Sequence, residues 1–140
     1  MILYCDTSAL VKLYLYEAGS DLMLQKANAA EIIASCRVSW AEAHAAFARR
    51  CRETPVDSVN IGLALAQFKT KWQDLAILEV TQPLVELAGE YADTFALRGY
   101  DSVQLAAARI LQTSAQQPVL FACFDERLNK AAKVLGMQLL

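Results

Sequence analysis

A set of four carboxylates, each at or near the start of an expected helix, is the feature of this sequence most able to do chemistry. They are Asp6, Glu42, Asp101 and Asp125. The set offers only oxygen donors, which suit Mg²⁺ or Mn²⁺ better than zinc. A divalent cation held by such groups lowers the pKa of water and stabilises charge on phosphate oxygens. If the four side chains meet, the sequence predicts a metal-dependent site for phosphodiester hydrolysis.

Each of these acids also has a purely structural interpretation. Aspartate is a good N-cap, so three of the four could simply satisfy free N–H groups at a helix start. Ser39-Trp40-Ala41-Glu42 matches the S-x-x-E capping box, in which the glutamate reaches back to a backbone amide. Capping alone does not require four caps to converge, so the shared site depends on where the elements place them.

Ser8 stands two residues after Asp6 and is a further candidate. Its hydroxyl could hydrogen-bond water or a substrate oxygen at the metal site, or it could only pack in the first turn of a helix. Thr7 is interpreted as a helix cap.

Short apolar strands alternate with longer helical segments along the chain. The expected strands cover residues 2–5, 31–34, 76–80 and 119–123, with an edge strand at 138–140. The expected helices cover residues 8–17, 20–29, 39–53, 56–74, 82–97, 101–113 and 125–135. We expect Gly99 to end the helix over 82–97 and Gly136 to end the helix over 125–135.

Apolar strands separated by helices predict a mostly parallel sheet that is covered on both faces. We therefore expect one α/β domain over residues 1–140. Ligands of such sheets bind outside the carboxyl ends of the strands. Asp6 and Asp125 follow expected strands, and Glu42 and Asp101 lie near helix starts, so all four can reach one edge of the sheet.

The composition is that of an ordered globular domain, with 56% apolar and 20% charged residues in a chain of 140. No apolar run reaches the ~18 residues that a membrane span needs, and the start lacks the basic segment of a signal peptide. We therefore expect a cytoplasmic protein. The net charge of −2 is not typical of a nucleic-acid binder. The clustered Arg49, Arg50 and Arg52 fit either an RNA-phosphate contact or a solvated helix face.

The sequence lacks the residues that several other functional classes require. The four cysteines form no C-x-x-C pair and are expected in the core, and His44 is the only histidine, so no zinc site or Ser-His-Asp triad is expected. The five glycines form neither G-x-G-x-x-G nor a P-loop. A phosphatase of the haloacid dehalogenase type needs a second aspartate where Ser8 stands. Trp40, Trp72, Tyr14 and Tyr16 are interpreted as packing residues rather than as base-stacking ones.

Four segments carry a family resemblance. They are DTSALVKLY at 6–14, SWAEA at 39–43, LRGYDSVQLAAA at 97–108, and FDERLNKAA at 124–132 followed by Leu135-Gly136. Together and in this order they resemble PIN-domain proteins, in particular the VapC-type toxins of bacterial toxin–antitoxin pairs.

The resemblance implies a three-layer α/β/α fold, an endoribonuclease dependent on Mg²⁺ or Mn²⁺, a homodimer, and a cognate VapB-type antitoxin that blocks the site. The four acids match the metal-site positions of the family, and Ser8 matches the polar residue beside the first acid. Gln104 replaces a histidine often found three residues after the third acid, and we expect this to alter substrate fit more than metal binding. The alternative is a non-catalytic PIN-fold protein that binds RNA or a partner.

Overall fold

Five parallel strands form the central sheet of the computed structural model, which describes residues 1–140. The strands are β1 (Ile2–Cys5), β2 (Ile32–Cys36), β3 (Ala76–Leu78), β4 (Val119–Ala122) and β5 (Gln138–Leu139). Their order across the sheet is β3-β2-β1-β4-β5, and every neighbouring pair is parallel. All residues of β1 and β4 are buried, which explains why these strands are continuous apolar runs.

Seven α-helices connect and flank these strands. They are α1 (Thr7–Val11), α2 (Ser20–Ala29), α3 (Ser39–Glu53), α4 (Ser58–Lys71), α5 (Gln82–Phe95), α6 (Gly99–Ser114) and α7 (Glu126–Val134). Short 3-10 turns at Pro55–Asp57 and Trp72–Asp74 flank α4, so the single long helix expected over 56–74 is divided. None of the helices has both the length and the apolar character needed to cross a bilayer.

The helices form one layer on each face of the sheet. Leu3 and Cys5 of β1 point into a core shared with α1 to α4. Ile2 and Tyr4 point the other way, into a core shared with α5, α6 and α7. The alternation of side chains along a strand therefore serves two cores at once. The expected three-layer α/β/α fold with a parallel sheet is confirmed.

Two helix ends differ from the sequence-based prediction. Helix α1 stops at Val11 rather than near Glu17, and turns follow it. Gly99 does not end α5, because the left-handed conformation that closes this helix is adopted by Ala96, with φ 54° and ψ 42°. Gly99 instead begins α6. Gly136 does follow α7 with a φ of 79°, as expected for a helix stop.

Candidate active site

The candidate site lies where the order of the strands reverses. From β1 the chain proceeds to β2 and β3 on one side, and β4 lies on the other side. Such switch points leave a crevice at the carboxyl ends of the strands. Asp6 follows β1 directly, and Asp125 comes shortly after β4. The topology therefore places the first and the last acid on either side of this crevice.

A single cleft of about 1060 Å³ lies there, and its lining includes every residue of the expected site. These residues are Asp6, Ser8, Glu42, Asp101 and Asp125. They come from positions as far apart as 6 and 125, which local capping does not require. The structure brings the predicted set together at one edge of the sheet.

Asp6 both caps a helix and faces the cleft. Its Oδ1 accepts hydrogen bonds from the backbone N–H of Ala9, at 2.9 Å, and from the hydroxyl of Ser8, at 2.8 Å. The residue is only 6% exposed, and this burial raises the pKa of its carboxyl, with a further contribution from the charge of Asp101. Ser8 therefore contacts the first acid directly, and Asp6 caps its helix while it also lines the cleft.

Glu42 does not form the expected capping box. Its Oε1 accepts one hydrogen bond from Thr7 Oγ1, at 2.7 Å, and one from Gln104 Nε2, at 2.9 Å. The N-cap of α3 is Val38, which offers no side-chain cap, and the hydroxyl of Ser39 contacts other side chains. Glu42 is thus held by groups from α1 and α6 rather than by its own helix.

Asp101 lies in the first turn of α6, and the N-cap of that helix is Arg98. The capping role considered for Asp101 is therefore wrong, and its side chain is half-buried in the cleft. Burial raises the pKa of Asp101, and the charges of Asp125 and Glu42 raise it further, while Arg98, at 4.0 Å, opposes them. Asp125 is exposed and caps α7, its Oδ1 accepting from the N–H of Leu128 at 2.8 Å.

The donor set fits a hard divalent cation in its chemistry and in its charge. The acids contribute only carboxylate oxygens. Burial and then the charges of neighbouring acids raise the pKa of Asp6 and of Asp101, and a cation would relieve this repulsion. No three His, Cys, Asp or Glu side chains are arranged closely enough to enclose an ion by themselves. Mg²⁺ is commonly bound by one or two carboxylates together with waters and substrate phosphates, so an open arrangement suits it.

Three arginines also line the cleft: Arg49, Arg50 and Arg98. Glu53 accepts from Arg49 at 2.8 Å, and Glu17 forms an ion pair with Arg50 and another with Lys12. Arg98 has a side chain that is 90% exposed. Of the expected basic cluster, Arg52 does not line the cleft.

The single histidine, the tryptophans, Tyr16 and the cysteines were all expected to have structural roles. The imidazole Nδ1 of His44 lies 2.7 Å from the carbonyl oxygen of Trp40, and the residue is not part of the cleft lining, as expected for a structural histidine. Trp40 packs against Trp72 and Phe68. Tyr16, in contrast, is exposed and bonds Asp21, so its packing role is wrong. All four cysteines are free, and three of them are buried.

Two residues of the site were missed by sequence reasoning. Thr7, interpreted as a cap, is the first residue of α1, and Asp6 takes the cap. Gln104 was expected to alter substrate fit more than metal binding; it lines the cleft, is only 2% exposed, and its amide contacts Glu42, a contact that was not expected. The position of Thr7 beside Asp6 was the only signal in the sequence for either contact.

The PIN domain family matches residues 3–134, a span that contains all four acids and Ser8. The chain belongs to the PIN-domain family. The resemblance carried by the four motifs is thereby confirmed.

This PIN domain is similar to two proteins of Mycobacterium tuberculosis. They are Ribonuclease VapC45 of strain CDC 1551 / Oshkosh and Ribonuclease VapC49 of strain ATCC 25618 / H37Rv. Each is 30% identical over 135 residues, which make up 96% of this chain and 92% of the relative. The similarity therefore extends over nearly the full length of both proteins.

The fold of the PIN domain is also similar to a solved structure, the crystal structure of VapBC2 from Rickettsia felis bound to a DNA fragment from their promoter. The TM-score is 0.66 at 12% identity, and the match covers 100% of this chain and 98% of that chain. At this identity, the likeness concerns the fold.

Proposed function

We propose that this chain is an endoribonuclease dependent on Mg²⁺ or Mn²⁺ and the toxin of a toxin–antitoxin pair. The observation that carries the proposal is the convergence of Asp6, Glu42, Asp101 and Asp125 on one cleft at the switch point of the sheet. The names of the two relatives support ribonuclease activity.

Each residue of the proposed site has a role that follows from its contacts. Asp6, Glu42, Asp101 and Asp125 supply the oxygen donors for the cation. When bound, the cation supplies charge for the scissile phosphate and activates water as the nucleophile. Ser8 orients Asp6 by donating to its Oδ1. Among the three arginines on the cleft wall, the highly exposed Arg98 offers positive charge to the RNA backbone, which the four acids alone would repel.

The comparisons also support a proposal about the partner. A VapB-type antitoxin is proposed as the cognate inhibitor, since the structural neighbour is part of a VapBC complex. We further propose that residues 1–140 act as one domain, in the cytoplasm and as a homodimer.

The test is cleavage of a structured RNA by the purified protein, with Mg²⁺, with Mn²⁺ and with EDTA. We expect cleavage with either ion and none with EDTA. Asp6→Asn keeps an N-cap of equal quality but removes the negative charge, so we expect it to lose most activity. Asp93→Asn is the matched control, because Asp93 is exposed on α5 and lies outside the cleft.

Two results would contradict the proposal. Cleavage that persists in EDTA and in Asp6→Asn would exclude the proposed site. RNA binding without any cleavage, equal in the wild type and in Asp6→Asn, would support a non-catalytic binding protein instead.

A further inference from the structure

A buried chain of polar side chains connects the strand at the centre of the sheet to Glu42. Tyr4, in β1, is fully buried, and its hydroxyl donates to Oε1 of Gln104 at 2.6 Å. Gln104, in α6, is itself buried, and its Nε2 lies 2.9 Å from Glu42 Oε1 and 2.9 Å from Ser39 Oγ. Neither residue belongs to the set of acids proposed to bind the cation.

The direction of these hydrogen bonds follows from the number of hydrogens available. An ionised carboxylate only accepts, so the amide nitrogen of Gln104 must face Glu42. The amide oxygen then faces Tyr4, which has a single hydrogen and must donate it. The two hydrogens on Nε2 are taken by the two acceptors at 2.9 Å, whereas Thr7 Oγ1 is more distant, at 3.2 Å. One arrangement of the Gln104 amide therefore satisfies every partner.

This arrangement determines how Glu42 presents its carboxylate. Thr7 and Gln104 both donate to Oε1, and no hydrogen bond engages Oε2. The two donors come from α1 and α6, which lie on opposite faces of the sheet. Because buried hydrogen-bond networks polarise and rigidify their members, Glu42 is held in one orientation with Oε2 available to a ligand.

We propose that Gln104 is a positioning residue for Glu42 and that Tyr4 positions Gln104 in turn. The inference rests on the proposed function only for its effect on catalysis, since the hydrogen bonds themselves are independent of it. Residues that orient a metal ligand typically contribute about 10- to 100-fold to activity or metal affinity. Because the amide of Gln104 is buried and its hydrogen bonds go to Tyr4, Ser39 and Glu42, we expect its loss to lower kcat and leave KM unchanged.

The first readout is the side-chain amide of Gln104 in the ¹⁵N spectrum of the metal-free protein. Its pair of signals is identified by its absence from Gln104→Met. We expect Tyr4→Phe and Glu42→Gln each to shift this pair, because Tyr4→Phe removes the donor to Gln104 Oε1 and Glu42→Gln removes the negative charge from the group that accepts from Gln104 Nε2. Ser102→Ala is the control, since Ser102 is buried on the same helix and its hydroxyl bonds only the carbonyl of Arg98. It should leave the pair in place.

The second readout is RNA cleavage. Gln104→Met should lower kcat by about 10- to 100-fold with an unchanged KM. Tyr4→Phe should lower kcat by a smaller factor, and the double variant should match Gln104→Met, since Tyr4 acts only through Gln104. Tyr4→Phe removes one oxygen from the core, so it keeps the test available if Gln104→Met does not fold.

Either of two results would overturn the inference. The first is that the Gln104 amide signals shift in neither Tyr4→Phe nor Glu42→Gln. The second is that the losses in kcat multiply in the double variant. If the wild-type protein does not cleave RNA, the proposed function fails. The amide signals then decide the inference alone, with shifts in both variants supporting it and no shifts overturning it.

Discussion

Two of the four acids have both a structural role in a helix cap and a place in the lining of the cleft. Asp6 and Asp125 cap helices with Oδ1, as their residue type predicts, and both also line the cleft. The positions of Asp6 and Asp125 could be predicted from sequence, because residues that follow parallel strands must lie at one edge of the sheet. The contacts of Glu42 could not be predicted from sequence. Glu42 is 35 positions from Thr7 and 62 positions from Gln104, and both contacts depend on how three helices pack.

Burial and the charges of Asp125 and Glu42 raise the pKa of Asp101, so removing its charge should stabilise the metal-free protein. The folded state raises the pKa of Asp101, so it binds the proton more tightly than the unfolded state does. The stability contributed by the protonated group is therefore present below the unfolded pKa of about 4 and is lost as the pH rises through the raised pKa. We expect Asp101→Asn to melt a few degrees above the wild type at pH 7.

This difference in melting temperature should shrink toward zero below about pH 4, where Asp101 is protonated in both states. Thermal melts in EDTA across this pH range measure it. Asp93→Asn, on the surface of α5, controls for the general loss of one negative charge. A lower melting temperature for Asp101→Asn than for the wild type at pH 7 would show that burial and the neighbouring charges do not destabilise ionised Asp101 as described.

Helix ends were predicted unevenly, for reasons that differ between elements. The bounds of α3 agree with the prediction, because its apolar face and the following proline define them locally. Helix α1 ends early, where Ser20 Oγ accepts from the N–H of Glu17 and donates to the carbonyl of Leu15. These contacts and the ion pairs of Glu17 compete with a continued helix, and the sequence periodicity of Leu10 to Tyr14 does not reveal them.

The end of α5 gives a prediction about stability. Ala96 adopts a left-handed conformation that disfavours a Cβ, and the residue is exposed. Glycine has no such penalty, so we expect Ala96→Gly to raise the free energy of unfolding by about 0.5–1 kcal/mol. Urea denaturation measures this change.

Ala92→Gly, inside the same helix, is the matched comparison and should lower stability by about 1 kcal/mol. A decrease for both variants would contradict the assignment of Ala96 as the left-handed cap.

The whole molecule carries a net charge of −2, yet three arginines lie on the cleft wall. Acids close to Arg49 and Arg50 offset their charge, whereas the side chain of Arg98 is almost fully exposed beside Asp101. The sequence alone left the basic cluster open, because only the fold decides which side of α3 faces the cleft.

We expect Arg98→Ala to weaken RNA binding and to reduce the slope of log affinity against log salt by about 0.7, the value for one phosphate contact on a single strand. Titrations of labelled RNA with Asp6→Asn protein, at several salt concentrations, measure both quantities without cleavage. Arg52→Ala in the same background is the control, since Arg52 is exposed but lies outside the cleft. Equal slopes in the two variants would remove Arg98 from the RNA-binding surface.

The proposed function depends on the binding of a hard divalent cation by four acids that are remote in sequence, at the carboxyl edge of the sheet. It is tested most directly by anomalous diffraction from crystals of the protein grown with Mn²⁺ and a non-cleavable RNA analogue. We expect a manganese peak in the cleft, next to carboxylate oxygens from among Asp6, Glu42, Asp101 and Asp125. An analogue bound in the cleft with no manganese beside these carboxylates would contradict it.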